Sequence, residues 1–296
     1  MRVEYREEQC RSALNRVSGM PFRWSLNPYM GCAHRCTFCY VRAFEARADR
    51  EAGDGYGRSI RVKVNVADVL RRELARRTWA REDVTIGAAT DPYQPAEGRY
   101  RLTRACIGEL GASATPFSII TRGPLVVRDV DVLQDAARAA AVGVYVSIPT
   151  LDERVWRTTE PATASPARRL DVVRRLRDAG IDVGVAVAPV LPGLSDRPES
   201  LAAVVRAARA AGARSIWAGL LNLRPGTREH FLEALARDWP EELERYERLY
   251  DGRSYLPHSV AFPAKDAVRR AAAEAAAPTR PVIRPAPRPT QLALTG

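Results

Sequence analysis

The stretch Asn27–Arg42 reads NPYMGCAHRCTFCYVR and sets Cys32, Cys36 and Cys39 at C-x3-C-x2-C spacing. Three of the five cysteines therefore fall within eight residues. A loop this compact can present three thiolates to three corners of an iron–sulfur cube. The fourth iron is then left open, which makes it a binding site rather than a closed electron-transfer centre. Zinc is the competing occupant, but structural zinc usually pairs two C-x2-C units, and the chain has no second pair. His34 lies inside the loop, where it can hardly reach the same metal as both neighbours. It reads as a solvent-facing or supporting residue.

Working outward, a strand expected around residues 22–29 leads into the cysteines. Apolar or β-branched runs then recur at Val84–Ala89, Phe117–Thr121, Val142–Ile148, Ile181–Val190 and Ser215–Leu221. Helical patterns separate them: VADVLRRELARR, RDVDVLQDAARAA, SPARRLDVVRRLRDAG and SLAAVVRAARAAG. Gly180 and Gly212 close the last two in the position that favours a left-handed backbone. Ser165 before Pro166, and Asp196–Pro198, read as helix openings. Strands joined by helices of this length imply right-handed crossovers and a parallel sheet. Six such units make an α/β partial (β/α)6 barrel the first expectation, with a doubly wound sheet second. Residues 1–20 read as an N-terminal extension and 21–224 as the barrel. Residues 225–272 read as a C-terminal helical cap, with Leu243, Tyr246, Leu249 and Tyr250 on one face. The Pro/Arg-rich segment 273–296 reads as a disordered tail.

Composition is that of an ordinary soluble protein, with 46% hydrophobic and 27% charged residues. The longest uncharged stretch, 183–195, is too short to span a membrane, and the charged N-terminus does not resemble a secretory signal. A cytoplasmic location and a monomer follow by default. The formal net charge of +11 makes nucleic acid a candidate partner. Arginine and alanine bias from GC-rich codons accounts for the choice of Arg over Lys, but not for the excess of basic residues. Cys10 reads as a surface thiol and Cys106 as a small buried residue on a helix. GDGYG at 53–57 reads as a flexible loop. No phosphate-binding G-x-x-x-x-G-K-[ST], dinucleotide G-x-G-x-x-G or H-E-x-x-H motif is present.

The cysteine motif resembles that of the radical SAM superfamily. The segments VKVNVADVLRRELAR, GAATDPYQPAEGRYRLTR, FSIITRG, YVSIPT and VAVAPVLPGLSD follow in the order of its spore-photoproduct-lyase-like branch, over roughly residues 20–260. Actinobacterial members of that branch are the most similar in pattern. The resemblance implies a [4Fe–4S] cluster on Cys32, Cys36 and Cys39. It also implies S-adenosylmethionine (SAM) on the open iron, and an external one-electron donor of flavodoxin or ferredoxin type. One electron would cleave SAM to a 5′-deoxyadenosyl radical that abstracts hydrogen from a substrate. Further SAM-binding positions implied are Phe38 and Tyr40 in the loop, Thr90 and Asp91 near the methionine amino group, and Arg122 near its carboxylate. Ser147 would lie near the methionine or ribose, and Val187 and Ala188 along the adenine. Thr90, Asp91, Arg122 and Ser147 fall at C-terminal strand ends, where barrel sites assemble. One departure matters. The photoproduct-repairing lyase carries a hydrogen-donating cysteine where this chain has Ala88 and Ala89, so the resemblance does not carry photoproduct repair with it. Nucleic acid is the favoured substrate class, with a peptide or small metabolite as alternatives. A non-catalytic iron–sulfur sensor or electron carrier is the competing function.

Overall fold

In the computed structural model, residues 3–285 are described. The strands are β1 (Glu4–Glu8), β2 (Leu14–Arg16), β3 (Trp24–Leu26), β4 (Tyr29–Met30) and β5 (Ser59–Lys63), followed by β6 (Val84–Ile86), β7 (Phe117–Thr121), β8 (Val142–Ser147), β9 (Asp182–Val190) and β10 (Ser215–Leu220). The first helices are α1 (Arg42–Ala46), α2 (Val66–Leu74), α3 (Pro95–Tyr100), α4 (Leu102–Ala112), α5 (Val130–Ala139) and α6 (Glu153–Thr159). They are followed by α7 (Pro166–Asp178), α8 (Pro198–Ala210), α9 (Thr227–Asp238), α10 (Leu243–Leu249) and α11 (His258–Glu274).

The main sheet runs β10-β9-β8-β7-β6-β3-β2, and the six strands from β3 to β10 pair in parallel. The order is sequential, without the reversal a doubly wound sheet requires, so the single-direction winding of a partial barrel is what forms. Alternation along the strands decides the two faces. Val142, Val144 and Val146 of β8, and Val183, Val185 and Val187 of β9, join the apolar core against the helices. The intervening residues, Gly143, Tyr145 and Ser147 on β8 and Gly184, Ala186 and Ala188 on β9, line the inner face.

Helix ends follow local chemistry. Ser165 accepts the N–H of Arg168 and caps α7. Gly180 and Gly212 have φ of +80° and +96°, and the next residue's N–H returns to the carbonyl of Leu176 or Ala208. The expected opening at Asp196–Pro198 forms: α8 starts on Pro198 after Arg197, without a side-chain cap, while Asp196 accepts the N–H of Gly193.

Three boundaries differ from expectation. The N-terminal segment is built into the fold: β2 pairs antiparallel with β3, and β1 pairs in parallel with β5 in a small sheet completed by β4. The helical cap divides in two. Helices α9 and α10 pack Phe231, Leu235, Tyr246 and Tyr250 onto Cys36 and Phe38, whereas α11 lies against α8 and β10. Part of the expected tail is docked. The Ile283 N–H bonds to the Gly180 carbonyl and its side chain packs on the core, while Arg177 reaches the Arg280 carbonyl. Residues 286–296 of that tail lie outside the described residues. No helix among the described residues is long and apolar enough to cross a membrane.

Candidate radical SAM site

The cysteine loop leaves β3 and β4 at the C-terminal ends of the strands and is held from several sides. Gln94, fully buried, accepts the Ala33 N–H at 3.0 Å and donates to the Gly31 carbonyl at 3.0 Å. Thr90 donates to the same carbonyl at 2.7 Å. Across the loop, the Thr37 N–H reaches the Thr159 carbonyl, and Thr227 at the start of α9 donates to the Cys39 carbonyl. Gly31 and Gly57 have φ of +85° and +78°. A Cβ at Gly57 would stand 2.3 Å from the Cys32 carbonyl oxygen, so only glycine allows this approach.

GDGYG is thus the wall behind the cysteines, more than a flexible loop. Tyr56 is buried, with its hydroxyl 3.4 Å from the Cys39 sulfur. The Arg42 guanidinium covers the Tyr56 ring at 4.5 Å. Arg42 is 1% exposed, and its donors go to the carbonyls of Ala52, Gly53 and Cys36. Among the described residues no carboxylate pairs with it. A buried cation without a counter-ion is costly, and the thiols of its own loop, Cys39 and Cys36, act on it as the charge partners a cluster would make of them. Burial pushes the Cys36 thiol well up, against the pull of Arg122, and pushes Cys39 up as well. All three cysteines are free. Among the described residues no three His, Cys, Asp or Glu side chains close on a single ion's position. A cube spreads its three sulfur ligands over three irons, so the donor set, with its unpaired cation, suits an anionic thiolate-bound cluster better than zinc.

Asp91 organises the neighbouring strand ends. It accepts the Tyr93 N–H at 2.9 Å, the Thr121 hydroxyl at 2.6 Å and the Arg122 N–H at 2.7 Å, and His34 Nδ1 stands 3.2 Å away. Burial opposes ionisation of Asp91, but His34, Thr121 and the Arg122 N–H outweigh it and hold the carboxyl at about 2. Burial likewise opposes charge on His34, while Cys32 and Asp91 raise its pKa to about 10. Both Asp91 oxygens are thus engaged by these four groups. His34 sits beside Cys32 as a support.

Arg122 donates through Nε to Glu160 at 2.7 Å and through Nη2 to the Ala188 carbonyl at 3.0 Å, and it lies 5.5 Å from the Phe38 ring centroid. Glu160 also takes both terminal nitrogens of the fully buried Arg169, which reaches the Ser147 carbonyl at 2.8 Å. Burial raises the Glu160 carboxyl, but Arg169 and Arg122 together bring it below its usual value. The structure therefore brings Cys32, Cys36, Cys39, Phe38, Arg122 and Ala188 to one place. Tyr40, 40% exposed, donates to the Ala88 carbonyl at the rim. Ser147 faces the same inner side. Val187 is a correction: its side chain belongs to the core against the helices, because alternation turns it away from the inner face that Ala188 meets. Gln94, for which the sequence left open a role in fixing the loop or facing substrate, fixes the loop, whereas sequence reasoning missed Arg42, Tyr56, Glu160 and Arg169. Only the proximity of Arg42 to the motif offered a signal.

The radical SAM superfamily model matches residues 26–205. The chain belongs to the radical SAM superfamily. Membership implies an iron–sulfur cluster and SAM-dependent radical chemistry. The chain is 43% identical over 260 residues to an uncharacterised Mycobacterium tuberculosis protein, covering 87% of this chain and 76% of that one. A radical SAM Nα-GlyT isomerase of Pseudomonas phage M6 is 27% identical over 168 residues, covering 56% of this chain and 33% of the isomerase. Among solved structures, spore photoproduct lyase with bound AdoMet and dinucleoside spore photoproduct aligns with a TM-score of 0.70 at 18% identity, covering 92% of this chain and 79% of the lyase. That likeness confirms the partial-barrel fold of this radical SAM protein.

Proposed function

We propose that Cys32, Cys36 and Cys39 hold a [4Fe–4S] cluster, that SAM binds beside it at the strand ends, and that the substrate is a nucleic acid. Bound together and given an electron by an external donor protein, the two cofactors supply a 5′-deoxyadenosyl radical able to abstract hydrogen. The observation that carries the reading is the buried Arg42, unpaired with any carboxylate beside three convergent thiols. Arg122 has Nε and Nη2 committed, which leaves Nη1 for the methionine carboxylate. Phe38 and Ala188 border the adenine in this reading, with Thr90, Tyr40 and Ser147 at the rim. Asp91 contributes by fixing the main chain of Arg122 and the ring of His34. Helices α9 and α10 close the back of Cys36 and Phe38 with apolar side chains and keep water from that side.

The nucleic-acid assignment rests on the +11 charge and on the substrate named for the lyase structure. The missing lyase cysteine, replaced by Ala88 and Ala89, argues for a different reaction on that class. The SAM site is tested by electron paramagnetic resonance of the reduced, reconstituted protein. A spectrum changed by added SAM supports it, and an unchanged one contradicts it. The nucleic-acid assignment is tested by oligonucleotide affinity against salt, which should fall steeply if phosphates are bound. A flat response removes it.

A further inference from the structure

The inner face of the sheet carries a feature that the proposed SAM contacts do not use. In register, Tyr145 pairs with Gly184 and Gly184 with Ser215, while Ser147 pairs with Ala186 and Ala186 with Trp217. These residues share the side facing away from the helices. Trp217 is 43% exposed, and neither it nor Tyr145 joins an apolar cluster. Two glycines let the rings lie on the sheet. A Cβ at Gly184 would stand 2.7 Å from Cε1 of Tyr145, and one at Gly219 would stand 3.2 Å from Cζ3 of Trp217. The surrounding floor is mixed: Ile120 pairs with Tyr145, Gly143, Gly184 and Ala186 are small, Thr85 and Ser118 share a hydrogen bond at 3.1 Å, and Ser147 and Ser215 add hydroxyls. Among the described residues, the Tyr145 hydroxyl and Trp217 Nε1 have no hydrogen-bond partner. Trp217 is one inward-facing step below Gly219, which packs on Ala188 beneath the Arg122 guanidinium. β10 is also an edge strand, so the ring is reachable from outside. Just past its end, Arg224 covers the exposed ring of Tyr255, an aromatic–cation pair along the same edge.

We propose that Trp217 and Tyr145 form a stacking platform for one unpaired nucleobase, entered over the β10 edge, with the base set below the site of hydrogen abstraction. The proposal rests on the nucleic-acid reading and names the part of the substrate this site takes. Flat aromatic faces accept any base by stacking. Hydroxyls beside Ile120 and two free donors suit a flat heterocycle with polar edges, whereas a hydrocarbon side chain would leave the donors unpaired. A base held here must have left its duplex, so a single strand or a flipped nucleotide binds and an intact duplex does not.

The test uses the full chain, reconstituted, and a short single strand carrying one 2-aminopurine, whose fluorescence quenches on stacking. Saturable quenching is expected, weakened about tenfold or more by Trp217→Ala and largely kept by Trp217→Phe. Gly184→Ala, which displaces the Tyr145 ring, should weaken it as well. A matching abasic strand supplies the phosphates without the base and should bind at least tenfold more weakly. Equal binding of the abasic strand, or no effect of Trp217→Ala, overturns the platform. A Trp217→Ala protein that loses SAM affinity as severely as strand affinity also overturns it, because the ring then serves the adenine of SAM. If the free 2-aminopurine nucleoside binds through Trp217 and no strand does, the platform stands and the nucleic-acid reading falls.

Discussion

The Arg42 guanidinium lies over the Tyr56 ring at 4.5 Å, and the Tyr56 hydroxyl stands 3.4 Å from the Cys39 sulfur. The pair forms the inner wall of the cysteine loop and supplies a fixed positive charge where the radical SAM superfamily carries its cluster. Reduction of a thiolate-bound cluster adds negative charge, so a nearby cation favours the reduced form. Arg42→Gln should lower the cluster's reduction potential by roughly 50–100 mV, a shift of about one to two powers of ten in the one-electron equilibrium. Arg42→Lys should recover most of it. A redox titration followed by electron paramagnetic resonance measures this on the loaded fraction, independently of how much cluster is retained. An unchanged potential in Arg42→Gln would reduce Arg42 to packing.

Among the described residues, Glu160 pairs with both the half-buried Arg122 and the fully buried Arg169. Glu160→Gln removes the charge that both cations share and leaves their desolvation uncompensated. Loss of a buried partner of this kind costs about 3–5 kcal/mol. Urea denaturation should show a drop of that order, and SAM affinity should fall because Arg122 loses its anchor. A variant as stable as the parent would show that the triad is not held by charge.

Gly57→Ala should impair the loop without touching a sulfur. The left-handed backbone and the 2.3 Å approach to the Cys32 carbonyl leave no room for a methyl group. Iron bound per chain after reconstitution is expected to drop severalfold, while far-ultraviolet circular dichroism stays near that of the parent. Full iron loading would contradict the packing.

The alternating strands of the barrel and the metal-binding motif are legible in the sequence because each carries its own periodicity or spacing. What escapes is set by long-range pairing. EYREE of β1 and SIRVK of β5 pair with each other across 55 positions, and of the two only β5 buries alternate residues, Ile60 and Val62. Neither shows a continuous apolar run. Glu160 and Arg169 look like ordinary solvated helix charges until the chain folds them against Ser147 and Arg122. Tyr56 sits among glycines that read as a turn, and Ile283 among prolines that read as a tail. The inner face hides for a related reason: Ser, Gly and Ala at alternate positions look like weak strand formers, although they make the space that a ligand needs.

His230, on α9 near Arg42 and Asp54, has its pKa lowered to about 4 by burial first and by Arg42 next. Its unfolded value is near 6.5, so between about pH 6.5 and 4 the unfolded chain binds the extra proton. Stability therefore falls as the pH drops through that window, by about 2 kcal/mol, and this contribution levels off below it. His230→Asn should flatten that segment of the stability-against-pH curve. Thermal melts at pH 7.5, 6.0 and 4.5 measure it, and an unaltered slope in the variant would place the titration elsewhere.

The most direct test is anaerobic reconstitution with iron and sulfide, followed by assay of 5′-deoxyadenosine from SAM and dithionite, with Cys36→Ala alongside. The expected result is product from the parent chain and none from the variant. A parent that loads a [4Fe–4S] cluster yet forms no 5′-deoxyadenosine, with a spectrum that SAM leaves unchanged, would contradict the assignment and point to an iron–sulfur sensor or electron carrier on the same fold.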